Sequence, residues 1–216
     1  MILSSGGANG AYEVGVMKAL LSGKSPATDY QPLAPETFKG SSIGAFNAAF
    51  LVGELEETDC VSAVERLERV WLEDMAEHPP GADNGALRIR GNPFKFLDPR
   101  NYISNPLQPF VQLAEDSAFF AQEGLKGLAQ FATSSKMSGH LLLNLLDLST
   151  FFSSEPYLRV IKETIRFDKI RLSRKALRID ITNWDTGKLE VFSNQDMTDD
   201  LGALYIQASG APGRLH

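Results

Sequence analysis

The five residues Gly40-Ser41-Ser42-Ile43-Gly44 constrain this chain more than any others. Gly-x-Ser-x-Gly sets a serine between residues without side chains, as a sharp strand-to-helix turn requires, because bulk there would collide with backbone. The run that follows, Ala45 to Val52, is apolar and rich in alanine, as a buried helix would be. Its first turn would aim backbone N–H groups and the positive end of the helix dipole at whatever Ser42 attacks. Five residues of this kind also arise by chance, so the context has to decide.

That context begins at the amino terminus. Met1 to Ser4 reads as a short strand that runs into Ser5-Gly6-Gly7-Ala8-Asn9-Gly10. Ala11 to Leu21 then reads as a helix, with Glu13 and Lys18 interrupting an otherwise apolar surface. Strand, glycine loop and helix together gather backbone N–H groups into an anion-binding nest. Three readings of the loop stand. It is a tight turn without a ligand, a dinucleotide-binding loop, or an oxyanion hole serving Ser42. The dinucleotide reading needs Gly-x-Gly-x-x-Gly, but Ser5 holds the place of the first glycine, and no convincing strand ends at Asp29. In the third reading the two motifs close neighbouring parallel strands, Met1 to Ser4 and Glu36 to Lys39. They then share the carboxyl edge where open α/β sheets place their sites.

A chain of 216 residues is long enough for one domain with a substantial core, and its net charge of −6 argues against nucleic acid as a partner. A single cysteine, Cys60, forms no internal disulfide and suits a reducing compartment. No apolar run approaches the roughly 20 residues that span a bilayer, and the amino terminus carries no signal-peptide pattern. The expectation is a cytoplasmic protein with, at most, peripheral contact with membranes.

Farther along, Val61 to Met75 reads as an amphipathic helix stopped by His78-Pro79-Pro80-Gly81. Residues 92–152 are irregular and crowded with phenylalanine. They read either as a helical insertion or cap over the site, or as additional helical core. Pro156 to Phe167 is a further helix in the one basic stretch, Arg159 to Arg178, which an anionic head-group surface could use but which reads first as a solvated helix face. Leu177 to Thr182 and Leu189 to Phe192 read as strands joined by a turn over Asn183 to Lys188. Asp199 or Asp200 would cap a last helix from Ala203 to Ser209.

Four of these segments, in this order, resemble the patatin-like phospholipase family. They are the glycine loop with its helix (Gly6 to Leu21), the elbow from Gly40 to Ala48, and the strand-turn from Ile179 to Phe192 with Asp185-Thr186-Gly187. The fourth is Ala208-Ser209-Gly210-Ala211-Pro212-Gly213, similar to the family's Ala-Ser-x-Ala-x-Pro. The resemblance implies an α/β fold, a three-layer α/β/α sheet with helices on both faces, as one domain over residues 1–216. It also implies a lipid acyl hydrolase that cleaves acyl esters of glycerophospholipids through a serine–aspartate dyad, without metal or organic cofactor. Ser42 is then the nucleophile, and Gly6, Gly7, Ala8 and Ile43 the oxyanion donors. Gly10, Gly40 and Gly44 are the motif glycines. Each oxyanion donor is typically worth about 3–4 kcal/mol of transition-state stabilisation.

Three departures qualify this resemblance. Ser5 replaces a family glycine, and Asn9 replaces a family basic residue. The dyad aspartate belongs to an Asp-Gly-Gly or Asp-Gly-Ala motif soon after the Ala-Ser-x-Ala-x-Pro segment, and the sequence contains no Asp-Gly. The resemblance therefore implies a sequence cut short before its catalytic base, with the carboxy-terminal part of the sheet missing. Asp180 and Asp185 are substitutes in principle only, and Asp196, Asp199 and Asp200 read as surface or capping residues. A histidine base from His78, His140 or His216 fits poorly, because the α/β-hydrolase order places several strands ahead of the elbow. A non-catalytic α/β domain that binds lipid or anions remains the alternative.

Overall fold

The computed structural model describes residues 1–4, 6–7, 9–76, 88–89, 111, 113–118, 152–183 and 185–210. The chain divides into two compact units. The second comprises His78–Asp83 and Leu87–Ser153. Its described residues include an antiparallel pair, β3 (Arg88–Ile89) with β4 (Phe152–Ser153), and a helical segment over 113–118. Most of the expected 92–152 insertion, the stop at His78 to Gly81, and all three histidines lie outside the described residues.

The first unit is built on a four-stranded mixed sheet in the order β1-β2-β5-β6. β1 (Ile2–Leu3), β2 (Thr37–Ser41) and β5 (Ala176–Thr182) run parallel, and β6 (Leu189–Ser193) returns antiparallel to β5. Between β1 and β2 lies α1 (Asn9–Leu21); after β2 come α2 (Ile43–Glu54) and α3 (Cys60–Val70). Ahead of β5 stand α4 (Glu155–Thr164) and α5 (Phe167–Leu172), and α6 (Gly202–Gly210) follows β6. This is an α/β fold.

Register explains how the sheet buries one face. Leu3 pairs with Gly40, Phe38 with Leu177, and Gly40 with Ile179, so these residues share a side and are all buried. α2 covers that side, and every one of its 12 residues is buried, which is why its sequence shows no polar face. Phe192, opposite Ile179, stacks on Tyr205 of α6 with ring centroids 4.0 Å apart. The other side of the sheet carries Lys39, Asp180 and Arg178, with Ile2, Leu189 and Val191 exposed beside them.

Several local expectations change in detail. The amphipathic helix after residue 60 is α only to Val70 and widens into a π turn at Trp71–Met75, where the Ala76 N–H reaches the Trp71 carbonyl at 3.1 Å. It starts at Asp59, whose carboxylate accepts from the Val61 and Ser62 N–H groups. The helix from Pro156 breaks at Ile165, which turns extended to bury its side chain, and restarts as α5. Asp199 does not cap the last helix: it pairs with Arg171 at 2.9 Å, while Thr198 Oγ1 accepts the Leu201 N–H at 3.1 Å. In the hairpin turn, Asn183 rather than Asp185 organises the backbone, accepting the N–H groups of Asp185 and Thr186.

Candidate active site

The turn between β2 and α2 forces Ser42 into an unusual backbone conformation, φ 57° and ψ −129°. Non-glycine residues rarely hold such values unless the surroundings impose them. Here the imposition comes from close packing. A Cβ on Gly40 would lie 2.2 Å from the Gly44 carbonyl oxygen, and one on Gly44 would lie 2.5 Å from the Leu3 carbonyl oxygen. Neither position tolerates a side chain, because backbone cannot move aside as a flexible side chain can. Ser42 is half-buried, and its hydroxyl makes no cap to the helix it precedes. The Ala45 N–H donates to the Ser42 carbonyl at 2.9 Å, and the Ile43 and Gly44 N–H groups ahead of it have no partner within the helix.

The same contacts bring the glycine loop to the elbow. Gly44 sits against the carbonyls of Leu3 and Ser4, immediately before the loop. Gly10, immediately after it, is packed so tightly that a Cβ would lie 2.9 Å from the Ile43 side chain and 2.5 Å from the Trp71 ring. Within the loop the Asn9 N–H donates to the Gly6 carbonyl and the Gly10 N–H to the Gly7 carbonyl, both at 3.0 Å. Gly7 has φ +52° and nothing within 4 Å of where its Cβ would stand. Both glycines are exposed, and Ala8 and Ser5 lie outside the described residues.

A polar network ties the motif glycine Gly10 to the elbow through the side chains of Asn47, Glu13 and Trp71, to which the sequence assigned no site role. Fully buried Asn47 of α2 donates through Nδ2 to the Gly10 carbonyl and to Glu13 Oε2, each at 3.2 Å. Its Oδ1 accepts the Trp71 indole N–H at 3.0 Å. Glu13 in turn accepts the Ser4 N–H at 2.8 Å and the Ser4 hydroxyl at 3.2 Å through Oε1. Glu13 and Lys18 thus do not merely interrupt an apolar helix surface. They turn inward, Lys18 onto Glu68 at 2.6 Å, while Tyr12 and Val16 face out.

On the other side of the elbow stands α6. The Ser42 N–H donates to Ser209 Oγ at 2.8 Å, and Ser209 Oγ donates to the Asp180 carbonyl at 2.6 Å. A Cβ on Gly210 would lie 3.7 Å from Ser42 Oγ and 3.8 Å from Cε1 of Tyr157. Among the described residues the buried Tyr157 phenol has no hydrogen-bond partner, and burial pushes it well above its ordinary value. It stays protonated and cannot act as a base for Ser42.

The carboxylates weighed as bases are engaged elsewhere. Asp180 pairs through Oδ2 with Lys39 at 3.0 Å, and among the described residues its buried Oδ1 has no hydrogen-bond partner, the Ser42 hydroxyl included. Asp196 accepts the Ser193 N–H and hydroxyl, and those bonds hold its carboxyl below the usual range. Among the described residues, no carboxylate or imidazole is hydrogen-bonded to Ser42 Oγ. Nor is there, among them, a group of three or more histidine, cysteine, aspartate or glutamate residues able to hold a metal ion, or a helix long and apolar enough to cross a membrane.

The basic stretch is partly paired with acids. Arg166 and Lys169 converge on Glu57 and hold its carboxyl at about 2; Arg171 pairs with Asp199 and Lys175 with Glu36, each at 2.9 Å.

With the glycine loop and serine elbow side by side, comparison of the whole sequence decides the family: the model of patatin-like phospholipase matches residues 1–212. The chain belongs to the patatin-like phospholipase family. No curated protein and no solved structure matches it. The patatin-like family is one of lipid acyl hydrolases acting on acyl-ester substrates. Against the pattern expected of a patatin-like loop, Asn9 contributes its backbone to the Gly6 turn and sets its side chain 3.1 Å from the Cβ position of Gly6.

Proposed function

We propose that this patatin-like chain is a serine lipid acyl hydrolase in which Ser42 attacks the carbonyl carbon of a glycerophospholipid or other acyl ester. The carbonyl π electrons move onto oxygen, and the resulting oxyanion is received by N–H groups of Gly6, Gly7, Ala8 and Ile43. Collapse breaks the bond to the alkoxy oxygen, which takes the proton that Ser42 gives up and leaves as the alcohol; the acyl-enzyme on Ser42 Oγ is then hydrolysed by water, which returns a proton to Oγ and yields the free acid. One observation carries the reading. Gly44 lies against the Leu3 and Ser4 carbonyls, which supports a reading in which the glycine loop and the strained serine share one wall. Fixed N–H donors at such a wall need no reorganisation as charge develops. No metal or organic cofactor takes part in this scheme.

Treatment with a fluorophosphonate probe tests it. We expect a covalent adduct on Ser42 and none in Ser42→Ala; labelling that persists in the variant sinks the assignment.

A second reading is favoured by a specific observation: no described side chain acts as base to Ser42. A serine hydroxyl without a base is a poor nucleophile. On that reading the chain is a non-catalytic α/β domain that binds lipid or anions, and it would bind phospholipid vesicles without labelling or turnover.

A further inference from the structure

We infer that Ser209 is a positioning residue: its hydroxyl, bridging Ser42 and Asp180, holds the nucleophile's backbone in the conformation required for attack. The inference rests on the reading of Ser42 as nucleophile and concerns the side of the elbow away from the glycine loop.

Ser42 sits at φ 57° and ψ −129°, outside the wells that a serine prefers. Gly40 and Gly44 make room for that conformation but do not direct the Ser42 amide anywhere. The amide points instead at Ser209 Oγ, 2.8 Å away. A hydroxyl has one proton to give, and Ser209 gives its own to the Asp180 carbonyl at 2.6 Å, leaving a lone pair for the Ser42 N–H. Donor and acceptor roles are thus fixed in one sense. Asp180 is opposite Ser41 in the β2–β5 register, so the bridge fastens the elbow to the strand beside it. Gly210 follows directly, within 4 Å of Ser42 Oγ at the point its Cβ would occupy, and leaves space beside the hydroxyl.

No other described group accepts the Ser42 N–H, so removing the Ser209 hydroxyl leaves that partly buried amide without its acceptor and takes one donor from the Asp180 carbonyl. The elbow would then be free to relax toward an ordinary turn. A relaxed turn re-aims Oγ and turns the Ile43 N–H away from the oxyanion.

The test compares Ser209→Ala, Ser209→Thr and Ser209→Cys with the parent chain by two readouts. The first is hydrogen exchange of the Ser42 amide by NMR. We expect roughly tenfold faster exchange in the alanine variant. Threonine, which keeps the hydroxyl, should restore protection, with amides elsewhere in β2 and α2 unchanged. The second is the rate constant of fluorophosphonate labelling at saturating probe, expected to fall by roughly tenfold or more in Ser209→Ala and to recover in Ser209→Thr. Cysteine, a weaker acceptor, should fall between them if alanine does not fold. Unchanged Ser42 exchange in folded alanine and cysteine variants overturns the inference. So does unchanged labelling alongside faster exchange. A parent chain that never labels overturns the hydrolase reading instead, and the exchange comparison still decides the bridge.

Discussion

Two glycine-rich turns meet in this protein, and they use glycine for opposite reasons. At the elbow, Gly40 and Gly44 are small because backbone presses on them to within 2.2 and 2.5 Å of a would-be Cβ. In the loop, Gly7 is glycine because its φ is +52°, while the space around it is empty. One turn is closed by packing, and the other is left open. A turn that must present N–H groups to an incoming anion has to be the open kind, and a turn that must hold a strained nucleophile has to be the closed kind. The division of labour is visible in the geometry before any chemistry is assigned.

Substitution can break this contrast. The largest effect is expected for Gly44→Ala. The added methyl meets the Leu3 carbonyl, and we expect a loss of about 4 kcal/mol or more, read as failure to fold or a collapse of Tm. Gly7→Ala should cost only about 1–2 kcal/mol, the strain of a positive φ, because no neighbour objects. Denaturant unfolding would show a folded protein, while fluorophosphonate labelling of Ser42 falls through distortion of the loop amides. Equal stability losses in these two variants would erase the distinction. The smallest effect sharpens it. Ser42→Gly should be about 1 kcal/mol more stable than Ser42→Ala, because glycine accepts φ 57° without penalty and alanine does not. A gain of that sign, measured by urea unfolding, would show that the elbow stores strain.

Much of this arrangement was legible in the sequence, and the reason is locality. The elbow, the loop, α3 and the β5–β6 hairpin each announce themselves within a dozen residues, through glycine placement or apolar period. The parts that join them do not. Asn47 read as one more residue of a buried helix, yet it links Gly10, Glu13 and Trp71. Its importance depends on a π turn that presents the Trp71 indole, and no residue pattern marks such a turn. Ser209 could be read as part of a family segment but not as an acceptor for an amide 167 positions earlier. The pairing within the basic stretch was hidden for the same reason. Its partners Glu36 and Glu57 are remote in sequence, so the charges looked unspent until the fold placed them together.

The distance in sequence between Ser42 and Ser209 also bears on how the protein is made. At typical translation speeds of 5–20 residues per second, those 167 positions separate the two serines by roughly 10–30 s on the ribosome. Throughout that interval the turn that bears Ser42 lacks the bridge from α6. On the proposed reading, ester cleavage would then wait until α6 has been made.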